Sequence, residues 1–150
     1  DVAPIMGLGT HFGLILVYLG GSIGFNSWLI KGFMDTISPS LDEAAKVDGA
    51  TEYQIFLKII APLARPILVV IFVITFIGIY SDYILAAIFL KDKNLWTVAV
   101  GINTVFVDDF NADWGVIAAS SVIAATPIAV LFVFFQKQIT GGLTAGSVKG

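Results

Sequence analysis

The stretch WGVIAASSVIAATPIAVLFVFF, Trp114–Phe135, runs without a single charged side chain. A bilayer hydrocarbon core about 30 Å thick needs about 20 apolar residues of helix to cross it, so this stretch is long enough. Two others read the same way. Phe12–Ile30 carries no charge, and 66–90 is interrupted only by Asp82. The composition agrees: of 150 residues, 57% are hydrophobic and 13% charged, with a mean hydropathy of +0.93. A soluble domain carries roughly 25% charged residues, so this chain cannot coat a globule with solvated side chains. The expected fold is all-α and polytopic, with spans at about 12–30, 66–90 and 114–135.

Charge sets the expected orientation. The 31–65 segment holds Lys31, Lys46, Lys58 and Arg65, and the 136–150 tail holds Lys137 and Lys149, against Lys91 and Lys93 in the 91–113 loop. Basic residues collect on the cytoplasmic side, so 31–65 and the C-terminus are expected there, with 91–113 external. Eight Lys and Arg against eleven Asp and Glu give −3, which leaves no basic footprint for nucleic acid. There is no Cys, so disulfides, thiolate metal sites and thiol catalysis are excluded. The chain opens at Asp1 with no basic leader before the first span, and the expectation is a C-terminal part of something longer, or a trimmed chain.

The spans carry small residues at Gly20, Gly21, Gly24, Ala118, Ala119, Ser120, Ser121, Ala124 and Ala125, which suit close helix packing, and Pro127 is expected to bend the third span. Three spans make a thin bundle, so protein partners are expected beside the lipid bilayer.

Segment 31–65 is too patterned for a plain loop. Ser40-Leu41-Asp42-Glu43 fits a capping box with Ser40 at the N-cap, opening a helix over 41–48 that meets Gly49, a residue suited to a left-handed helix stop. Thr51-Glu52-Tyr53-Gln54 repeats the box. The second helix places Tyr53, Phe56, Leu57 and Ile60 on one apolar stripe, Pro62 is expected to end it, and Pro66 to start the next span. Two readings are open for this element: a helix resting on lipid headgroups, or a knob docking into a cytoplasmic partner. The short Glu43, Ala44 and Ala45 favour the knob.

Those residues also carry a resemblance. Glu43-Ala44-Ala45, three residues, Gly49, nine residues, then Ile59-Ile60-Ala61-Pro62 is similar to the EAA motif of ABC importer permeases, with Ala61 where leucine is usual. Tyr18–Gly21 (YLGG), Glu43–Thr51 (EAAKVDGAT), Thr97–Gly101 (TVAVG) and Gly141–Gly150 (GGLTAGSVKG) extend the likeness, over essentially the whole chain, to the maltose/maltodextrin branch of that family. The resemblance implies the last three of six spans and a permease subunit moving maltodextrin-type sugars inward across a bacterial or archaeal cell membrane. It implies a second permease subunit, a pair of ATP-binding subunits that hold ATP and Mg, and an extracytoplasmic sugar-binding protein. No cofactor is expected on this chain. Glu43, Ala44, Ala45, Asp48, Gly49 and Ala50 would engage the ATPase, and Gly142, Leu143, Thr144, Ala145 and Gly146, on a flexible tail, would reach between its two copies. The 91–113 loop, with Trp96, Val98, Val100, Phe106, Asp108, Asp109 and Asp113, would meet the binding protein; a lipid-surface helix explains those residues equally well.

Asp82, flanked by Tyr80 and Tyr83, has two open readings as well. A charge inside a span faces protein or water, so the trio suits a sugar path, with carboxylate to hydroxyls and ring to pyranose face. Alternatively Asp82 sits near the outer interface, solvated or packed on a helix. An intramembrane enzyme is disfavoured, because His11 is the sole His, Asp82 the sole carboxylate at depth, and Ser120 and Ser121 lack a base. No phosphate-binding loop motif occurs. The spans also fit a permease for another oligosaccharide, or a small channel or structural membrane protein. The last of these leaves the capped helices of 31–65 without a purpose.

Overall fold

Helix is the only regular structure among the described residues of the computed structural model, which are 7–107 and 114–145, with side-chain surroundings for 7–104 and 114–138. In chain order α1 covers His11–Met34, α2 Pro39–Val47, α3 Glu52–Tyr80, α4 Ile84–Phe89, α5 Val98–Val107 and α6 Trp114–Ala145. A 3-10 turn at Lys93–Leu95 precedes α5. The chain is all-α, and α1, α3 and the Trp114–Gln138 part of α6 are long and apolar enough to cross a membrane. Little of their apolar surface is covered from within: Trp28, Ile123 and Phe134 are 67%, 70% and 76% exposed. Such surfaces are stable only against lipid or other protein.

The second membrane helix differs from the expected 66–90 at both ends. It begins at Glu52 and passes through Pro62 and Pro66. Proline removes an N–H and crowds the carbonyl four residues back, and the chain absorbs this by widening one turn. Phe56–Ile60 is π-helical, with the Ala61 N–H donating to the Phe56 carbonyl five residues earlier. At the other end α3 stops at Tyr80. Ser81 N–H still reaches Ile77 O at 3.0 Å, Asp82 N–H closes a tighter turn on Ile79 O at 3.3 Å, and Asp82 Oδ1 accepts the Leu85 N–H at 3.2 Å. A short carboxylate that bonds nearby backbone N–H groups competes with helix continuation, so 84–89 becomes the separate α4.

α6 also outruns expectation. The flexible tail expected from 136 is helical to Ala145, through Gly141 and Gly142. Two glycines cost about 1 kcal/mol each relative to alanine in a helix, too little to stop one already propagating.

The chain divides into two units. One comprises the chain up to Ile23 and Ile74–Phe134. Its core is Leu14, Ala86, Leu90 and Val100, with Tyr18, Leu95 and Trp96 packed partly against it. Gly9 N–H donates to Phe89 O at 2.7 Å, and the His11 ring lies 2.8 Å from Leu95 O, tying the start of α1 to the α4–α5 connection. The other comprises Gly24–Val73 and the chain from Phe135 onward. It buries Ala45, Ile55, Ala64, Ile71 and Val73, and Phe72 meets Phe135 edge-to-face at 5.8 Å.

Candidate functional site

The helix–corner–helix at 38–60 is built from its caps. α2 starts earlier than expected. Ser38 is its N-cap with extended backbone, Pro39 takes the first helical position, and no side-chain cap bond forms. Proline's fixed φ suits that position and its missing N–H would be unpaired anyway. Ser40 is therefore inside the helix, its Oγ 2.8 Å from Ser38 Oγ. Glu43 falls at the fifth position, two residues beyond the third, from which a side chain reaches back to the cap, so the expected Ser40–Glu43 box does not exist.

The far end is as the spacing predicts. Gly49 has φ +80, a conformation in which an L side chain is strained. Ala50 N–H donates to Ala45 O and Gly49 N–H to Lys46 O, both at 3.0 Å, the paired bonds that close a helix end tightly. Two residues on, the second box is complete. Gln54 N–H donates to Thr51 Oγ1 at 3.3 Å, and Thr51 N–H to Gln54 Oε1 at 2.9 Å. Lys46 Nζ reaches across the corner to Glu52 Oε1 at 2.8 Å.

That ion pair was not anticipated from sequence, since it links residues on different helices at a spacing no single-helix rule covers. Its hydrogen bond to Glu52, and then the Glu52 charge, raise the Lys46 ammonium above the usual lysine range. The contribution of a cation with a raised pKa is complete below its unfolded value and is lost as pH rises through the folded one. The pair is therefore unaffected by deprotonation of Lys46 at neutral pH and opens on that account only in strong alkali. Both partners are exposed, so it orients the corner more than it stabilises it.

Burial sorts the expected contact residues. Glu43, Ala44, Asp48 and Gly49 are exposed and Ala50 half-buried, but Ala45 is 8% exposed and turned inward, as is Ile55 at 3%. The small size of Ala45 thus lets α2 lie close to α3. Val47, 88% exposed, joins Glu43 on the outer face at i, i+4 spacing; that spacing was the signal for it. The stripe Tyr53, Phe56, Leu57 is outward as well, 72%, 54% and 46% exposed. Periodicity identifies an apolar face, not what it faces.

In the other unit, Tyr80 and Tyr83 line a cavity of about 410 Å³ together with Ser81, Ala99, Asn103 and Ala125. Asp82 is not part of that lining. Its Oδ1 covers the first turn of α4 through Leu85 N–H. Asn103 was missed in the sequence, although it is the one amide in Val98–Val107, a run whose only other polar side chain is Thr104. Replacing Asp82 by alanine is expected to destabilise by about 1 kcal/mol, as a lost cap does, while asparagine retains the bond. A lower melting temperature is expected in Asp82→Ala and an unchanged one in Asp82→Asn; equal melting of the two would mean that the bond to Leu85 does not count.

Of the remaining expected residues, Gly142, Leu143, Thr144 and Ala145 form the last turn of α6, and Gly146 lies outside the described residues. Asp108, Asp109 and Asp113 also lie outside them. Val100 is core at 2% exposure, Trp96 is half-buried with the Lys93 ammonium 5.6 Å from its ring centre, and Val98 is exposed.

A family model described as binding-protein-dependent transport system inner membrane component matches residues 3–143. Curated relatives include the maltose/maltodextrin transport system permease protein MalG of Vibrio vulnificus (strain YJ016), 46% identical over 147 residues, which are 98% of this chain and 49% of the relative. The proteins of the same name from Photorhabdus laumondii and Escherichia coli (strain K12) are each 44% identical over 150 residues, 100% of this chain and 50% of theirs. The chain spans about half the length of the curated relatives it matches.

Proposed function

The chain belongs to the family of binding-protein-dependent transport system inner membrane components, and from that premise we propose that it carries the coupling part of a permease subunit importing maltose/maltodextrin-type oligosaccharides. A member of this family is a membrane transport component, not an enzyme. The observation that carries the proposal is the set of bonds that ties the 38–60 element together. A paired-bond helix end at Gly49, a reciprocal cap at Thr51 and Gln54 and the Lys46–Glu52 bridge hold α2 against the start of α3. From there α3 runs unbroken to Tyr80. A push on α2 therefore travels into the membrane helix without meeting a flexible joint.

In this reading 31–65 and the C-terminus are cytoplasmic, as the basic residues favour. Glu43, Ala44, Val47 and Asp48 enter a cleft of a separate ATP-binding subunit, with Gly49 and Ala50 setting the corner and Ala45 its depth. ATP and Mg are held by that partner, which works as a pair. Gly142–Ala145, the last turn of α6, and Gly146 contact the pair as well. A second permease subunit completes the pore, and an extracytoplasmic binding protein delivers the sugar to the 91–113 side. The cavity at Tyr80, Tyr83, Ser81 and Asn103 is within the size range of small-ligand sites, and its phenol rings, hydroxyl and amide suit a sugar ring and its hydroxyls. The maltodextrin assignment follows the named relatives; another oligosaccharide is the alternative.

The test is ATP hydrolysis by the full-length complex in proteoliposomes, with its binding protein, with and without maltotriose. Stimulation by the loaded binding protein is expected. Stimulation by a different sugar alone would leave coupling intact and overturn the ligand; no stimulation by any loaded binding protein would overturn the coupling itself.

A further inference from the structure

In the unit formed by Gly24–Val73 and the chain from Phe135, α3 and α6 flank an open groove of about 450 Å³ lined by Arg65, Leu68, Val69, Phe72, Phe135 and Gln138. The four α3 residues fall at i, i+3, i+4 and i+7, one stripe descending about 10 Å from its polar end. Phe135 and Gln138 are three apart on α6, and Phe72 and Phe135 pack edge-to-face at 5.8 Å. The groove thus has a guanidinium and an amide at one end and four apolar side chains running away from them.

Leu68 and Phe72 remain 45% and 52% exposed, and neither ion pair among the described residues includes Arg65. An apolar trough a third as long as the hydrocarbon core is thick, headed by a cation outside those pairs, has the polarity profile of one lipid molecule. Guanidinium is the side chain best suited to phosphate oxygens, and basic pockets between membrane helices bind anionic headgroups. We infer that this groove is a binding site for an anionic phospholipid. The phosphate pairs with Arg65, the Gln138 amide donates to the headgroup, and an acyl chain lies along Leu68, Val69 and Phe72 over Phe135.

The experiment uses the full-length complex in phosphatidylcholine vesicles carrying a trace of diazirine-tagged phosphatidylglycerol or, in parallel, diazirine-tagged phosphatidylcholine. The anionic probe is expected to label peptides containing residues 65–72 and 135–138 more strongly than the zwitterionic one. Arg65→Gln should lower anionic labelling about five-fold, the scale of one interfacial basic residue, leaving phosphatidylcholine labelling unchanged, while Arg65→Lys should retain most of it. Equal labelling by both probes, or anionic labelling indifferent to Arg65→Gln, would overturn the site. With a photoreactive phenylalanine analogue placed at Phe72 or Phe135 in the same vesicles, cross-links to lipid are expected. Cross-links to another protein segment in their place would also overturn the site, since that segment is then the occupant.

Discussion

Gly49→Val is expected to reduce coupled transport by at least about ten-fold while the spans remain inserted. The reason is backbone, not space. At φ +80 an L side chain is strained, yet a Cβ built there meets nothing within 4 Å. Left-handed backbone costs roughly 1–2 kcal/mol for an ordinary residue, and a β-branched side chain is a worse occupant still. The corner is closed by only two backbone bonds, Ala50 to Ala45 and Gly49 to Lys46, so the strain is most cheaply relieved by opening it. α2 then hangs from α3 without a fixed angle. Because the cause is φ alone, a graded series is expected: asparagine, which visits this conformation readily, close to wild type, alanine intermediate, valine worst. Gly49→Asp adds charge at modest strain, and so reports on the docking face more than on the corner. Uptake per ATP hydrolysed, with inserted protein quantified, checks the order. Equal activity across Asn, Ala and Val would mean that the corner angle does not matter.

Glu43→Lys should also lose transport, by roughly ten- to a hundred-fold or more, for a different reason. Glu43 is exposed, belongs to no cap, and takes part in neither ion pair among the described residues. The chain itself therefore gains almost nothing from it, and thermal stability of the permease should not move. A carboxylate that becomes buried and hydrogen-bonded on docking is another matter, since removing one partner of such a pair costs about 2–5 kcal/mol. Glu43→Gln keeps the shape and loses the charge, and should fall between. Co-purification of the ATP-binding subunit and uptake in proteoliposomes measure both halves. Wild-type transport in Glu43→Lys would remove this carboxylate from the contact.

What could be read from the sequence was what is decided locally. Gly49 as a helix stop and the Thr51–Gln54 box depend on four or five consecutive residues, and both occur as the spacing predicts. Ser40 failed as a cap because Pro39, one residue before it, is a better first helical residue than any leucine. Pro62 failed as a terminator because the rule assumes an α-helical turn, and a π turn admits the ring without ending the helix. Asp82 shows another limit: its Oδ1 accepts the Leu85 N–H, a bond that depends on where α3 stops, and the flanking tyrosines do not announce it. The inward turn of Ala45, the outward turn of Val47 and the presence of Asn103 beside Tyr80 and Tyr83 depend on where whole helices lie, which no window of sequence encodes.

The widened turn at Phe56–Ile60 also acts as an angular index. In a helix each residue advances the direction of everything beyond it by about 100°, so the compass bearing of α2 around the axis of α3 is stored in a residue count. Removing Lys58 alone would restore an ordinary turn with little change of bearing, since the widened turn takes up the extra residue. Inserting one residue after Ala61 would instead swing Glu43 and Val47 by about 100°, with every side chain of the knob still intact. Chemistry at the tip and bearing at the base are thus set by separate parts of the sequence, and each can change without the other.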